Sequence, residues 1–390
     1  MHAVAIVQKI LRPVSAQLDV RNARNIWLAV EALISGRRLT LMELARHWLG
    51  AERIGAPLKR LDRLLGNRDV QDVRSRFYAV AAAWCVRCEQ PVLIVDWSEL
   101  KSDGCWHLLR AAVPAHGRAM TVYEEVHPEA KKNSRKVQAA FLKRLQALLP
   151  AGVRPIVITD AGFQNPWFRE LKALGWHWIG RIRHRTLFRW VTPQPGAWMC
   201  CKALHEQARP RARSLGQAQL AKHQPMSCRL VLVRRRKADR VELTRYGKRA
   251  QSAHSRKMAA SAKDPWLLAV SCSLNDFTAA AIVSLYAKRM QIEQSFRDLK
   301  SHRYGCAFDD TLTRSGERLE MLLLIHMLAS LAALLAGLAA TASIRARVCT
   351  PSLAKRYSVL WIGWACLRHA KAPPSVHASA SLAHLLVLPR

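Results

Sequence analysis

Three acids in this chain stand where carboxylates can do chemistry. Asp96 is the single charge in the apolar run VLIVDWS, and a carboxylate in a buried strand is costly unless a cation compensates it. Asp160 follows the run RPIVIT, at the carboxyl end of an expected strand, where open α/β sheets place their ligands. Glu293 belongs to the pattern Tyr286-x2-Arg289-x3-Glu293-x6-Lys300. Read as one helix, at about 100° per residue, these four side chains share an arc of about 60°. Leu285, Ile292, Phe296 and Leu299 fill the adjoining arc, so the polar stripe borders the core. Carboxylates packed together repel, and two Mg²⁺ ions resolve that repulsion while activating a water or a 3′-hydroxyl and stabilising the leaving oxygen of a phosphodiester. The flanking cations and Tyr286 suit the neighbouring phosphates. The plainer alternative is an internal Arg289–Glu293 pair at i, i+4 with two unrelated strand acids.

The elements that must position these residues can be read from periodicity. Residues 1–80 read as wholly helical: Asn22 to Ser35 carries apolar residues at spacings of three and four, Gly36 ends that helix, and Thr40 caps the next. Two short helices in an Arg-rich segment resemble a helix-turn-helix. From Gln90 the period changes. Pro91 to Leu100, Trp106 to Val113 (ended by Pro114) and Met120 to His127 read as three strands in hairpin order. A helix from Ser134 to Leu149, a strand from Arg154 to Thr159, a helix from Trp167 to Leu174 and a fifth strand, WHWIGRI, follow. The expectation is an α/β fold with a mixed five-stranded sheet flanked by helices. Cys228 to Arg236 and Arg240 to Tyr246 read as a β-hairpin with cationic outward side chains. Trp266 to Ser271 then returns the chain to a long helix from Phe277 to Lys300.

Composition narrows the class. Lys and Arg number 62 against 27 Asp and Glu, a net charge of +35, in a chain of 390 residues that is half hydrophobic with 13 Trp. Both a disordered tail and an ordinary neutral metabolic enzyme fit this poorly; a folded chain this basic points to a polyanion. Between Arg181 and Lys263, 21 Lys and Arg face only Glu206, Asp239 and Glu242, which reads as an insertion that grips phosphates through groups such as Arg234, Arg235 and Arg236. Ten Cys in this length are too few for a disulfide scaffold, and no signal peptide is expected ahead of them. Cys85-x-x-Cys88 with Cys105-x-His107 has the composition of a zinc site, but its surroundings read as strand and turn rather than as a knuckle. Met321 to Ile344 is apolar enough to cross a bilayer. It is one run with basic residues on both flanks, so a buried helix is expected and no membrane partner.

The DWS context of Asp96, the TDAGF context of Asp160 and YAKRMQIEQSFRDLKS from Tyr286 to Ser301 resemble the DDE transposases of bacterial insertion sequences. The resemblance is to the insertion-sequence-four family with its Tyr-Arg-Glu-Lys signature, and within it to the insertion-sequence-ten group. It implies an RNase H-like core interrupted by a β-rich insertion, with Asp96, Asp160 and Glu293 as ligands of two Mg²⁺ ions, or Mn²⁺ in their place. Tyr286, Arg289 and Lys300 would contact the backbone of the transposon end. Trp266 would stack on a flipped base, and Met290 would wedge into the vacated stack. The implied partners are double-stranded DNA, as terminal inverted repeats and target, and a second copy of the chain. The implied reaction is cut-and-paste transposition through a hairpin, in the bacterial cytoplasm at the nucleoid. A nuclease of the same fold without strand transfer and a non-catalytic DNA-binding protein are the rivals.

The expected organisation is a helical DNA-binding domain over 1–80 and the first part of the catalytic core over 81–185. A basic β-rich insertion over 186–263, the second part of the core with the signature helix over 264–345, and a C-terminal region over 346–390 with a dimerisation role complete it.

Overall fold

The computed structural model describes residues 2–183, 186–191, 194–235, 251–253, 264–342 and 357–369. The chain divides into two compact units, one of residues 1–155 with 289–390 and one of residues 156–288.

The first unit opens with five helices: α1 (Ala3–Ser15), α2 (Val20–Gly36), α3 (Leu41–Arg46), α4 (Gly55–Leu65) and α5 (Arg68–Cys85). The caps follow from residue type. Asp19 accepts from the Asn22 N–H at the start of α2, Thr40 from Glu43 ahead of α3, and Asn67 from Val70 ahead of α5. Three antiparallel strands come next, β1 (Val92–Glu99), β2 (Trp106–Ala115) and β3 (Arg118–Pro128), in the order β3-β2-β1. The β2–β3 turn is His116-Gly117, both at positive φ (49° and 91°), the backbone that a tight two-residue hairpin needs. Pro114 therefore does not end the second strand: it pairs with Ala119 inside the ladder, next to the turn, where a missing N–H costs least.

α6 (Arg135–Leu148) stacks Phe141 on Tyr123 of β3, ring centroids 5.3 Å apart. After the second unit the chain returns through α9 (Met290–Lys300), α10 (Gly316–Ala342) and α11 (Val359–His369). α10 holds the apolar run. It is long and apolar enough to cross a membrane, and its most hydropathic stretch is fully buried among α1, α2, β3 and α11. Gly337 and Gly363 set the α10–α11 crossing. A Cβ on Gly363 would overlap the Ala333 carbonyl, and one on Gly337 would overlap that of Val359.

The second unit carries β4 (Ile156–Thr159), β5 (His177–Arg181), β6 (Leu187–Trp190), β7 (Met199–Cys200), β8 (Arg213–Leu220), β9 (Met226–Val233) and β10 (Trp266–Val270), with α7 (Asn165–Ala173) and α8 (Ala279–Ala287). Its strands run in the order β4-β5-β10-β9-β8-β6-β7. β4 and β5 are parallel and the remaining neighbours antiparallel. Phe168 of α7 lies flat on Trp178, centroids 4.4 Å apart, because Gly180 has no Cβ to meet the Phe168 ring.

Four sequence expectations change. The sheet is wider than five strands: this unit alone has seven, since the insertion strands continue the sheet from β10. The expected hairpin of 228–236 with 240–246 does not hold, because both edges of β9 are taken by β8 and β10; residues 240–246 lie outside the described residues. Nor is β9 cationic outward: Arg229 is buried and donates to the Leu274 and Asn275 carbonyls. Finally, Phe277 to Lys300 is two helices. The Lys288 N–H turns back to the Leu285 carbonyl, and the Ile292 N–H to that of Arg289, tight i→i+3 turns that interrupt the ladder at Lys288 and Arg289.

Candidate active site

In the first unit the sheet presents a row of charges. Asp96 on β1 is in register with Arg110 on β2, and Arg110 with Glu124 on β3. Arg110 and Glu124 are fully buried. Arg110 Nε donates to Glu124 Oε2 at 2.7 Å, and Tyr78 of α5 donates to Glu124 Oε1 at 2.8 Å. Burial and the Glu124 charge hold the Tyr78 hydroxyl well above its ordinary pKa, so it stays a donor.

α9 crosses this sheet with Ile292, Phe296 and Leu299 buried, as their spacing predicts. Its polar side chains tie it down. Ser295 Oγ accepts from the Ala119 N–H at 2.8 Å, and Gln291 Oε1 accepts from the Ala115 N–H at 3.1 Å. Lys300 Nζ donates to Ser98 Oγ and to the Glu99 carbonyl at 3.1 and 3.0 Å. Burial pulls the Lys300 ammonium below its usual pKa, against the opposing pull of Glu99 and Asp309.

The helix start brings Arg289 between two of the three expected acids. Its Nη1 donates to Asp96 Oδ2 at 3.2 Å and its Nη2 to Glu293 Oε1 at 2.6 Å. Asp96 Oδ1 also accepts from the Trp97 N–H at 2.9 Å. The strand acid is thus compensated by a cation, as its 7 % exposure requires. Arg289 was expected to face phosphates; here it faces carboxylates. Met290 is 41 % exposed, with its sulfur 3.9 Å from Arg289 Nη2.

The second unit holds the other expected residues. Asp160 follows β4 and is half-buried. Its Oδ1 accepts from the Gly162 N–H at 2.8 Å, and a Cβ on Gly162 would crowd that oxygen at 3.0 Å. Tyr286 is buried on α8 rather than on a polar rim, because the break after it voids the single-helix arc. Its ring meets Trp266 edge to face at 4.9 Å, and the Arg235 guanidinium lies 4.8 Å from the Trp266 centroid. Arg234 donates to the Ala208 and His205 carbonyls. Arg236 lies outside the described residues.

The structure thus joins Asp96, Arg289 and Glu293 in one unit and Trp266, Tyr286 and Arg235 in the other. The sequence reading missed Arg110 and Glu124, though a charge at matching positions of two apolar strands was a usable signal. Among the described residues no three His, Cys, Asp or Glu side chains form a group that can hold a metal. The Cys85, Cys88, Cys105 and His107 set, which the sequence already read as strand and turn rather than a knuckle, forms no such group: Cys85 is buried, with its thiol pushed up to about 12 by burial, Cys105 is exposed, and His107 pairs with Glu129. Asp96 and Glu293 do suit a hard divalent cation: both offer carboxylate oxygens, and both converge on one positive charge.

A family described as the transposase DDE domain matches residues 87–332, a stretch that contains Asp96, Asp160 and Glu293. No curated protein matches the chain. Among solved structures, a piggyBac transposase synaptic complex with hairpin DNA is similar over 96 % of this chain and 84 % of its own, at 11 % identity and a TM-score of 0.37; a likeness this distant carries no weight here. The family match covers well over half of the 390 residues, and on that ground the chain belongs to the transposase DDE domain family.

Proposed function

We propose that this transposase excises and inserts its own element by cut-and-paste chemistry, with Asp96, Asp160 and Glu293 holding two Mg²⁺ ions, or Mn²⁺, at one catalytic centre. The observation that carries this reading is the convergence of Asp96 and Glu293 on the Arg289 guanidinium, at 3.2 and 2.6 Å. Two carboxylates far apart in sequence are held where a positive charge is already required. When bound, the ions supply charge neutralisation and a more acidic attacking oxygen.

The chain's own groups do the rest. The ties from Ser295, Gln291 and Lys300 to β1 and to the β2–β3 hairpin fix α9 against the sheet, so Glu293 keeps its place beside Asp96. Arg289 and Lys300 bind phosphates flanking the cut. Tyr286 braces Trp266 edge-on and Arg235 lies over it, an aromatic surface suited to a base turned out of the stack, with Met290 filling the gap left behind. Antiparallel β1–β3 and parallel β4–β5 support an RNase H-like core. A dimer pairing two DNA ends, with hairpin formation and reopening, completes the reading.

The test uses duplexes carrying the inverted ends that flank the coding region, incubated with Mg²⁺. Wild-type protein is expected to yield hairpin-ended and strand-transfer products, whereas Asp96→Ala binds the duplex without cutting it. Cleavage without strand transfer would leave a nuclease, and unaltered cleavage by Asp96→Ala would remove the catalytic assignment.

A further inference from the structure

The Arg289 guanidinium does more than sit near the acids. It donates one nitrogen to each of Asp96 and Glu293, and its side chain is 15 % exposed against 10 % for Asp96 and 32 % for Glu293. Without a cation between them, two such carboxylates repel in a partly desolvated setting. The fork geometry of a guanidinium satisfies both at once, which a point charge does not. A divalent ion bound through the same two carboxylates competes for the same lone pairs.

We propose that Arg289 is a resident counter-ion that holds Asp96 and Glu293 in place in the metal-free protein and must swing off them before a divalent cation binds. This rests on the reading of these two acids as metal ligands. Both hydrogen bonds join charged groups, so metal binding is opposed by the free energy of breaking them. The two occupants exclude each other at the carboxylates, so anything that draws the guanidinium away raises metal affinity, and metal in turn releases the guanidinium. A DNA phosphate is such a group, since it offers the fork an alternative pair of oxygens. Metal loading is thereby coupled to occupancy of the site by DNA, and in the metal-free protein the single guanidinium charge offsets part of the repulsion between the two acids.

The experiment is titration calorimetry of Mn²⁺ into the full-length protein without DNA, for wild type, Arg289→Ala, Arg289→Lys and Glu293→Gln, with thermal unfolding measured alongside. Losing two charged hydrogen bonds as competitors corresponds to Mn²⁺ binding tighter by about tenfold or more in Arg289→Ala. Arg289→Lys, which keeps the charge but lacks the fork, is expected between that variant and wild type, and it serves in place of Arg289→Ala if the latter does not fold. Metal-free Arg289→Ala should melt below wild type and gain more from saturating Mn²⁺. Unchanged or weaker Mn²⁺ binding in both Arg289 variants, with Glu293→Gln still reducing it, overturns the counter-ion role and leaves the metal site standing. Mn²⁺ binding that Glu293→Gln does not alter removes the metal site itself.

Discussion

Asp96, Arg110 and Glu124 form one cross-strand row, yet the three charges have different duties. Arg110 is committed to Glu124, which Tyr78 also bonds, so this buried pair props the sheet while Asp96 is left to Arg289 from the helix. Removing one partner of a buried pair leaves an uncompensated charge, whereas replacing both removes the desolvation penalty with the bond. Glu124→Leu alone should therefore destabilise the protein by about 3–5 kcal/mol, and the double change Arg110→Met with Glu124→Leu should cost clearly less than the single one. Urea midpoints at constant slope measure this; a double variant as unstable as the sum of its single changes would show that the two residues do not act as a pair. Glu125, next along β3, is a different case. Burial pushes its carboxyl up, but hydrogen bonds from His127, Arg144 and Tyr123 outweigh it and bring it down to about 2.

At the scale of elements, α10 sets an acid limit on the fold. His326 is buried in this helix, and burial, with the Arg110 and Arg37 charges, brings its pKa from 6.5 down to about 3. The folded protein thus keeps the ring neutral where the unfolded chain protonates it. Below pH 6.5 the unfolded state binds the extra proton, so stability falls with falling pH, and this contribution levels off near pH 3 when the folded state also protonates. His326→Leu is expected to remove close to one proton from the pH dependence of unfolding within that window. Unfolding midpoints at pH 4, 5 and 6 would test it, and an unchanged slope would place the acid sensitivity elsewhere. Local pattern announced this helix, as it did α2, α6 and β1. It did not announce the break at Lys288 and Arg289, since no Pro or Gly stands between Tyr286 and Gln291 to mark one. Nor did it give the partners of β9, because β8 and β10 lie on either side of it in sequence at very different distances and no local signal fixes such pairing.

For the whole molecule, the meeting of Asp96 and Glu293 at Arg289 was legible in part, because a lone charge in an apolar run and an i, i+4 spacing are both local facts. Tyr286 was not, since its burial depends on which side of the helix break it falls. The charge of +35 is also a property of the whole chain, and its consequence is measurable without knowing any recognition sequence. Each phosphate neutralised by Lys or Arg releases condensed counter-ions, so log affinity falls with log salt at about 0.9 per phosphate on duplex DNA. A protein that carries DNA across a basic surface engages roughly six to ten phosphates, and so loses about 10³- to 10⁵-fold in affinity between roughly 50 and 200 mM salt. Fluorescence anisotropy with an arbitrary duplex should therefore give a log–log slope steeper than about −5. Arg289→Ala, which removes one phosphate contact under the proposed reading, should make that slope shallower by about 1 while leaving sequence preference unaltered. A slope near zero for the wild type would mean that the positive charge faces solvent rather than DNA, and the excess of Lys and Arg would then need another partner.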